Sequence, residues 1–545
     1  MRALAGEPSP RPRTNKWLVT VSVSFGTLMG AIDTSIVNVA LPHIRGSVGA
    51  TVEEITWITT GFVIAMVVVM PLTAFLGRLF GQKRVYLFSL ALFLVGSMLC
   101  GSARSLWGLV AWRAVQGLGA GALQPTEQAI LRTTFPPKEQ GMAMAVFGMA
   151  VMLGPALGPT VGGYITDNYS WPFIFYINLP IGLLGMFLVW TFVHEDEEVK
   201  LQNRALALAQ RRNVDYLGIA LMVVGLAALQ FFLEEGSRYD WFEDRTIAAC
   251  FWVAIVGLAL FVWRELTARV PAVNLRLFKD KTYASGTLIG AVNFALLMAN
   301  MFLLPLFMQE LLGFTATQSG MTLMPRVMVM MVITPFVGRI YNQVSPRLLV
   351  GLGIVFVALG NLFQSGFTLD TSQWKVIQYT IVQGIGFACL FVPLTTVALS
   401  STKRHQLADA TGLNSLFRQV GGSIGLAVFA TLLTHFVEPA RVSISAHTAA
   451  TNPLVLARLS QIGQALGAHG YDPASARSAA RSALYGLIAR QATVLSFEKV
   501  FFAAGLSFLA VLPLLYFLHS PHHAANGPRG PGGRGAPPAV TDLEE

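Results

Sequence analysis

Residues 17–41, WLVTVSVSFGTLMGAIDTSIVNVAL, contain one charged side chain, Asp33, in an otherwise apolar or weakly polar run. Since about 20 mostly apolar residues cross the hydrocarbon core of a bilayer as a helix, this stretch predicts a membrane-spanning helix. The run is too long for the apolar part of a cleaved signal peptide, so we expect the helix to remain in the protein.

The rest of the chain has the composition of a membrane protein. Of its 545 residues, 54% are hydrophobic and only 12% are charged, whereas a soluble domain carries about 25% charged residues. Such a chain has too few polar groups to cover a surface that faces water, which excludes a soluble protein and, outside short tails, a disordered one. Cys100, Cys250 and Cys389 lie within apolar runs, so we expect them to be buried as small apolar side chains.

Fourteen apolar runs of membrane-spanning length can be read along the sequence, and they predict an all-α membrane protein. The predicted spans are 17–41, 55–77, 85–103, 106–131, 141–165, 171–193, 215–235, 245–264, 283–308, 319–339, 347–367, 375–399, 409–436 and 498–518.

The charges between these spans predict an orientation. If the N-terminus is cytoplasmic, the cytoplasmic loops hold roughly five times as many Lys and Arg residues as the short loops of the other face. Because positive loops favour the cytoplasmic side, both termini are predicted to be cytoplasmic. The net charge of +10 is then explained by loops that face the cytosol and anionic lipid, and the 38 basic residues are too dispersed for a nucleic-acid-binding surface.

The sequence also repeats itself. QGLG at 116–119 returns as QGIG at 383–386, and the spacing from Pro125 to Gly154 recurs from Pro393 to Gly422. Two six-helix halves with two inserted helices explain this repeat, which is typical of transporters. The predicted boundaries are a cytoplasmic tail at 1–16, an N-terminal half at 17–193, a linker with two inserted spans at 194–282, a C-terminal half at 283–518 that includes a periplasmic loop at 437–497, and a disordered cytoplasmic tail at 519–545.

An ion gradient is the predicted energy source. The sequence lacks the Gly-Lys pair of a nucleotide-binding P-loop, which disfavours ATP hydrolysis by this chain. Coupling to an ion requires charged groups inside the membrane, where they are costly and therefore functional candidates. The clearest such residues are Asp33, Arg113, Glu127, Arg326 and Arg418.

Three of these residues are candidates for proton coupling: Asp33, Arg113 and Glu127. Asp33 and Arg113 each lie about seven residues from the outer end of their spans, so at ~1.5 Å per residue an ion pair or a water-bridged contact is possible. Glu127 lies about four helical turns after Arg113, on the same face and nearer the cytosol. Burial disfavours a charged carboxylate and a neighbouring arginine favours it, so a conformational change can switch its protonation. A static structural pair is the alternative for Asp33 and Arg113.

Other polar side chains within the spans are candidates for a substrate pathway. The 36 Phe, 19 Met and 10 Trp favour hydrophobic or amphipathic cargo, because aromatic and thioether surfaces adapt to many shapes. Each polar candidate could instead bridge two helices, and Asp409 and Glu310, at span ends, are expected to be solvated or to cap a helix. The candidate substrate-pathway residues are Asn38, Gln116, Asn300, Arg326, Gln383, Asn414, Arg418 and Gln419.

Three stretches resemble motifs of the fourteen-helix drug:proton antiporter branch of the major facilitator superfamily. IDTSIVNVALP at 32–42 resembles the first-helix motif, RAVQG at 113–117 resembles motif B, and GPALGPTVGG at 154–163 resembles the antiporter motif C. The resemblance implies the major facilitator fold, two six-helix halves plus two inserted helices, and proton coupling through the arginine of motif B, which is Arg113 here.

The third motif also has direct physical consequences. Its glycines recur every four residues from position 154, which lets a neighbouring helix approach closely, and its prolines remove backbone donors and bend the helix. Close packing there would seal one side of the pathway; plain packing of small residues is the alternative. The candidate antiporter-motif residues are Gly154, Pro155, Gly158, Pro159, Gly162 and Gly163.

The loop between the second and third spans departs from the family pattern. It reads AFLGRLFGQKR at 74–84, and Arg78 stands where motif A of the superfamily has an aspartate. The usual charge relay of that motif therefore cannot be carried over intact. Gly81, Lys83 and Arg84 fit a tight cytoplasmic turn, and with Arg78 they form the candidate gating loop.

Further stretches, among them 173–180 and 240–242, resemble the EmrB-type inner-membrane pumps of this branch. Such pumps work with a periplasmic adaptor of the EmrA-type membrane fusion protein family and a TolC-type outer-membrane channel. The resemblance therefore implies these partners and a place in the bacterial inner membrane. The loop at 437–497, with helix-like stretches at 454–468 and 473–495, is the candidate docking surface; a helical loop without a partner is the alternative.

The resulting prediction is proton-coupled export of hydrophobic or amphipathic toxic compounds, as the inner-membrane part of a tripartite multidrug pump. A dedicated exporter of one metabolite, such as a siderophore or a fatty acid, is the alternative within transport. A membrane enzyme or sensor is disfavoured, because no metal-ligand cluster and no nucleophile–base set stands out and because the halves repeat. No metal or other cofactor is expected.

Overall fold

The computed structural model describes residues 15–194, 214–268, 271–447 and 452–518, which are helical with connecting loops and contain no β-strand. Most of the predicted N-terminal tail, part of the predicted linker and the predicted disordered tail lie outside these residues. The helices are α1 Lys16–Val48, α2 Val52–Phe80, α3 Gln82–Gly101, α4 Leu106–Thr134, α5 Gln140–Asn168, α6 Phe173–Phe192, α7 Tyr216–Glu235, α8 Arg245–Thr267, α9 Lys281–Glu310, α10 Ala316–Ile340, α11 Pro346–Gln364, α12 Gln373–Ala398, α13 Leu407–His447, α14 Pro453–Ala468 and α15 Pro473–Leu509.

Twelve helical segments of this described part are long and apolar enough to cross a membrane. They are α1–α3, α6–α13 and the segment Pro473–Phe517, which contains α15. The helices α4 and α5 are not in this set, although each has 29 residues. The predicted all-α membrane fold is confirmed, and the predicted count of fourteen spans is compatible with it, since every predicted span coincides with one of these helices.

Local sequence signals set where the helices begin and end. The Asn15 side chain accepts a hydrogen bond from the Trp17 amide and caps α1, which ends at Gly49 in the left-handed conformation, φ 65°. Ser105 caps α4 in the same way through the Gly108 amide. These side chains satisfy amide groups that have no partner within the helix.

The helices of the two predicted halves, α1–α6 in the first and α9–α13 with α15 in the second, pack in the same pairs. In the first set α1 packs on α5, α3 on α4 and α2 on α4; in the second set α9 packs on α13, α11 on α12 and α10 on α12. The two additional helices, α7 and α8, pack on each other, and α7 also contacts α2 of the first set and α13 of the second. The internal repeat of the sequence is therefore a repeat of packing.

The halves meet closely at the end of the bundle that carries the α4–α5 loop, the predicted cytoplasmic end. Gly141 of α5 and Gly338 of α10 approach so closely that a Cβ atom at either residue would lie within 3 Å of the other's carbonyl oxygen. Asn342 donates a hydrogen bond to the Lys138 carbonyl across the same contact. Such close backbone contact requires glycine and holds the two halves together at this end.

The predicted periplasmic loop at 437–497 is largely helical. The stretches predicted to be helices form α14 and the beginning of α15, and α13 extends into the loop as far as His447. Helix α15 runs without interruption from this loop into the last predicted span. Its Tyr485 and the α14 residue Leu454 are strongly exposed.

Candidate functional site

A buried ion pair joins α1 to α4. Arg113 Nη1 lies 2.6 Å from Asp33 Oδ2, and both side chains are almost fully buried, with exposed fractions of 1% and 0%. The guanidinium group also stacks over the Phe62 ring, 4.0 Å from its centroid. The structure thus brings together the two residues for which the sequence allowed a direct contact.

Amide side chains complete the coordination of the Asp33 carboxylate. Its Oδ1 atom accepts hydrogen bonds from Gln116 Nε2 at 2.9 Å and from Asn178 Nδ2 at 2.8 Å. Gln116 also accepts from Arg113 Nη1 at 2.7 Å, and both amides donate to Ser97 Oγ. A charge in an apolar interior is stable only when it is paired and hydrogen-bonded in this way. Loss of the carboxylate charge would therefore weaken contacts among α1, α4 and α6 together.

Sequence reasoning missed two members of this network, Ser97 and Asn178. Asn178 lies in the stretch 173–180, where a single amide side chain in an apolar run is a usable signal of a polar contact inside the membrane. Ser97 carries no such signal, because serine is common in membrane helices and often bonds its own backbone. Here its hydroxyl donates to the Phe175 carbonyl at 2.9 Å.

Glu127 lies in a separate buried contact between α4 and α1. Its carboxylate accepts hydrogen bonds from Ser24 Oγ at 2.9 Å and from Thr27 Oγ1. Among the described residues, no basic side chain lies within 4 Å of it. Glu127 therefore shares the α1–α4 interface with Asp33 and Arg113, but its carboxylate contacts hydroxyl groups and not the ion pair.

The second half contains a neutral counterpart of the Asp33 network. Gln383 Nε2 donates to Asn300 Oδ1 at 3.1 Å and to Gln364 Oε1 at 3.0 Å. Gln383, Asn300 and Gln364 lie 267 positions after Gln116, Asp33 and Ser97, respectively. The same spacing places Thr380 opposite Arg113, so the second half has no charged pair at these positions.

Two buried arginines of the second half have no acidic partner among the residues that the structure describes. Within the described ranges, no carboxylate lies within 4 Å of Arg326 or Arg418, and both are almost fully buried. The Arg418 guanidinium lies over the rings of Phe294 and Phe391, at 5.1 and 5.3 Å from their centroids. Asn414 lines the same small cavity as Arg418.

The predicted substrate-pathway residues therefore do not form one site. Gln116 belongs to the Asp33 network, whereas Asn300 and Gln383 belong to its neutral counterpart. Asn38 is exposed on α1 and Gln419 is half-buried on α13. The remaining candidates are the arginines of the second half and Asn414 beside one of them.

The candidate gating loop contains an ion pair between the two halves. Arg78 Nη1 lies 2.6 Å from Asp409 Oδ2, and both side chains are nearly buried. The expectation that Asp409 is solvated was wrong, because the first turn of α13 packs against the end of α2 and buries its side chain. Gly81, with φ 91°, makes the predicted tight turn between α2 and α3, where only glycine adopts such a backbone easily.

The other basic residues of this loop differ in their surroundings. Lys83 Nζ donates to the Trp190 carbonyl at 2.7 Å and lies near the Trp190 ring. Arg84 is exposed.

A fourth buried arginine, Arg132, occurs near the predicted cytoplasmic end of α4. The sequence placed only Arg113, Arg326 and Arg418 inside the membrane among basic residues, but Arg132 is also buried. Its guanidinium donates to the Gln140 side chain and to the Thr396 carbonyl of α12. Because Arg132 lies at the end of a predicted span, its position alone suggested a solvated residue.

The candidate antiporter motif packs directly on α1. A Cβ atom at Gly154 would lie 2.4 Å from Ala31, and one at Gly158 would lie 2.4 Å from Ser35. At Gly162 the nearest atom would be 3.3 Å away, and at Gly163 none lies within 4 Å. Helix α5 continues through positions 155 and 159, and the side chains of Pro155 and Pro159 lie outside the described part.

Metal binding is not indicated by these contacts. In the part of the chain that the structure describes, no group of three or more His, Cys, Asp or Glu side chains is arranged to hold a metal ion.

Comparison with known proteins gives consistent matches along the chain. The sequence model of the Major Facilitator Superfamily matches residues 23–426. The chain is 33% identical to the fatty acid resistance protein FarB of Neisseria gonorrhoeae over 516 residues, which cover 93% of this chain and 97% of that protein. It is 31% identical to the multidrug export protein EmrB of Escherichia coli K12 over 515 residues, which cover 94% and 96% of the two chains. A colistin resistance protein, EmrB of Acinetobacter baumannii, is 27% identical over 451 residues, which cover 83% and 86%.

Solved structures share the fold at much lower identity. The human organic anion transporter MFSD10 (TETRAN) superposes with a TM-score of 0.59 at 16% identity, over 92% of this chain and 99% of that one. The proton:xylose symporter XylE superposes with a TM-score of 0.58 at 12% identity, over 91% and 96%. At such identities the likeness concerns the fold alone.

Proposed function

Because this chain belongs to the Major Facilitator Superfamily, we propose that it is a proton-coupled antiporter that exports hydrophobic or amphipathic toxic compounds. The predicted family and fold class are confirmed, and the chain is a multi-pass membrane protein. The resemblance to EmrB-type pumps is confirmed by 31% identity over most of the chain to a multidrug export protein.

The observation that carries proton coupling is the buried Asp33–Arg113 pair. Its carboxylate has two states that differ in their contacts: ionised, it holds Arg113 and two amides, and protonated, it loses the charge that holds them. A proton can then shift the balance between two arrangements of α1 and α4, which is what coupling requires. The neutral counterpart at Asn300 and Gln383 supports one such site in the first half.

Glu127 is a second candidate on the same interface. Its contacts with hydroxyl groups of α1 allow either a bound proton or a charge. In this proposal, Asp33 and Arg113 form the coupling pair and Glu127 lies on the path of the proton toward the predicted cytoplasmic end.

We place the protein in the bacterial inner membrane with both termini in the cytoplasm, as the inner-membrane part of a tripartite pump. Its periplasmic surface would then be α14 and the beginning of α15, where Leu454 and Tyr485 are exposed. We propose this surface as the contact for an EmrA-type adaptor, which in turn would join a TolC-type channel.

A dedicated exporter of one metabolite is the second candidate function, and a specific finding favours a fatty acid as that metabolite. The similarity to FarB, which is named for fatty acid resistance, extends over 93% of this chain. Both functions use the same coupling pair and differ in the range of substrates.

The test is efflux from proteoliposomes of the purified full chain, driven by an imposed pH gradient. Ethidium and a long-chain fatty acid serve as substrates, so a response limited to the fatty acid would favour the dedicated exporter. Asp33→Asn and Arg113→Ala are expected to abolish gradient-driven efflux, while exchange of substrate without a gradient persists. Glu310→Gln, which removes an exposed carboxylate at the end of α9, is the charge-matched control. Normal gradient-driven efflux in Asp33→Asn would refute the coupling pair.

A further inference from the structure

Arg418 is a buried cation whose charge has no counter-ion in the described part of the chain. It lies about ten residues from the beginning of α13, roughly 16 Å along the helix axis and thus near the middle of the span. A lone charge is costly at this depth, and such residues face a pathway or a ligand more often than lipid. The contacts with Phe294 and Phe391 stabilise the guanidinium only in part.

Three unpaired polar atoms belong to one cavity at this point. Arg418 Nη1, Asn414 Nδ2 and Asn293 Oδ1 are buried and have no hydrogen-bond partner within the described ranges, and all three residues line the cavity. An unpaired buried donor or acceptor is unfavourable, so three in one place indicate a missing partner. Two of the atoms are donors, one of them charged, which suits the two oxygens of an anionic group.

The cavity lies within the second half, among α9, α12 and α13, and one of its walls borders the first half. Phe391, which forms one wall of it, also packs against Phe147 of α5 at a centroid distance of 6.0 Å and against the backbone of Gly148. In this conformation the cavity has room for about one water molecule. Separation of α5 from α12 would release Phe391 from Phe147, so that this wall of the cavity could move and a ligand with an apolar body could lie on the Phe391 ring.

We infer that Arg418 and Asn414 bind the anionic group of an acidic amphipathic substrate, with Phe294 and Phe391 against its apolar part. The inference rests on the proposed export function and adds the charge class of the substrate. The two halves then have different tasks: the first holds a carboxylate that is already paired, and the second holds a cation whose partner is the substrate.

A fluorescent pair of compounds tests this inference. 1-Pyrenebutyric acid, an anion at pH 7.5, and its neutral primary amide share the same ring system and differ in charge. Binding to the full chain in nanodiscs is measured at pH 7.5 by energy transfer from tryptophan, with empty nanodiscs as the background. We expect the wild-type protein to bind the acid about tenfold more tightly than the amide, as one charge-assisted hydrogen bond provides.

Variants of Arg418 then identify the residue responsible. Arg418→Gln should weaken binding of the acid by about tenfold or more and binding of the amide by less than about threefold. Arg418→Lys keeps the charge without the planar fork and should lie between wild type and Arg418→Gln. Arg458→Gln, which removes an exposed charge on α14, is the control.

The outcomes separate this inference from the proposed function. Equal binding of the acid and the amide by the wild-type protein would overturn the anion site, even if Arg418→Gln does not fold. The anion site would also be overturned if Arg418→Gln weakened binding of the acid and the amide equally, since that would indicate that Arg418 acts in packing. Selective binding of the acid without any gradient-driven transport would instead support the anion site and count against proton-coupled export.

Discussion

At the residue scale, the Asp33 carboxylate is the point on which three helices converge. It lies on α1 and receives hydrogen bonds from α4 and α6, and all of its partners are buried. Because the surroundings exclude water, a contact of this carboxylate is exchanged for another protein contact or lost outright. A change in its protonation is therefore expected to move helices.

Asn178→Ala should lower the rate of gradient-driven efflux by about tenfold, less than the complete loss expected for Asp33→Asn. The variant removes one of the hydrogen bonds to the carboxylate, and a bond to a charged group contributes about 1.5–3 kcal/mol. Arg113 and Gln116 remain in contact with Asp33. Initial rates in proteoliposomes measure the effect, and a rate equal to wild type would show that Asn178 takes no part in coupling.

Part of this site could be predicted from the sequence, because charges inside apolar runs are rare and conspicuous. The similar depth of Asp33 and Arg113 allowed an ion pair or a water-bridged contact to be predicted. The contacts of Asn178 and Ser97 instead depend on how α6 and α3 are rotated about their axes. Periodicity fixes the face of a helix but not its neighbour, so Arg78 and Asp409 could not be paired before their helices were packed together.

At the scale of the helix, the α1–α5 interface is governed by glycines with different amounts of free space. Gly154 and Gly158 leave no room for a Cβ atom against α1, whereas Gly163, on the same helix, faces open space. The repeat of small residues in the sequence predicted a close approach, but it did not distinguish these positions. Only the packed neighbour, Ala31 or Ser35, does so.

Gly154→Ala and Gly163→Ala should therefore change thermal stability in opposite directions. The first forces α1 and α5 apart and should cost about 1–3 kcal/mol, as overpacking does. The second should stabilise α5 by up to about 1 kcal/mol, because alanine is the better helix former. The melting temperature of each variant in nanodiscs measures the difference. Equal shifts would mean that α1 does not pack on Gly154.

The helices themselves followed from hydropathy, although α4 and α5 are not among the segments that are long and apolar enough to cross a membrane. Helix α4 carries buried polar side chains, among them Arg113, Gln116 and Glu127, and polar groups inside a membrane-spanning bundle are candidates for a functional pathway. This span was predicted from the run of mostly apolar residues at 106–131. Hydropathy could not show that α15 passes from the loop into the last predicted span as one helix.

At the scale of the whole molecule, contacts between the halves cluster at the predicted cytoplasmic end. Arg78 pairs with Asp409, Arg132 donates to Thr396, and the glycines of α5 and α10 touch. Arg78, which stands where the superfamily motif has an aspartate, thus pairs with an acidic residue of the other half, Asp409. The structure shows this closed arrangement, and the pair would have to open when the halves separate there.

Reversal of the Arg78–Asp409 pair tests this contact. Arg78→Asp places two acidic groups together in a buried site and should destabilise the protein by about 3–5 kcal/mol, as breaking a buried pair does. Arg78→Asp combined with Asp409→Arg should recover most of the melting temperature and of the efflux rate. The matched control is the exposed pair Glu438 and Arg441, where Arg441→Asp should cost no more than about 1 kcal/mol. If the double variant did not recover its melting temperature, the residues around each position, and not the attraction between the two charges, would determine which charge each position tolerates.

The missing counter-ion of Arg418 also bears on how the membrane voltage is used. If a monovalent anion leaves the cell while one proton enters, two positive charges move inward in each cycle, and each contributes about 2.3 kcal/mol per 100 mV. Exchange of a monovalent cation for one proton would gain nothing from the voltage. A cell that has dissipated its pH gradient but kept its potential would then still expel acids, while its export of cations would stop.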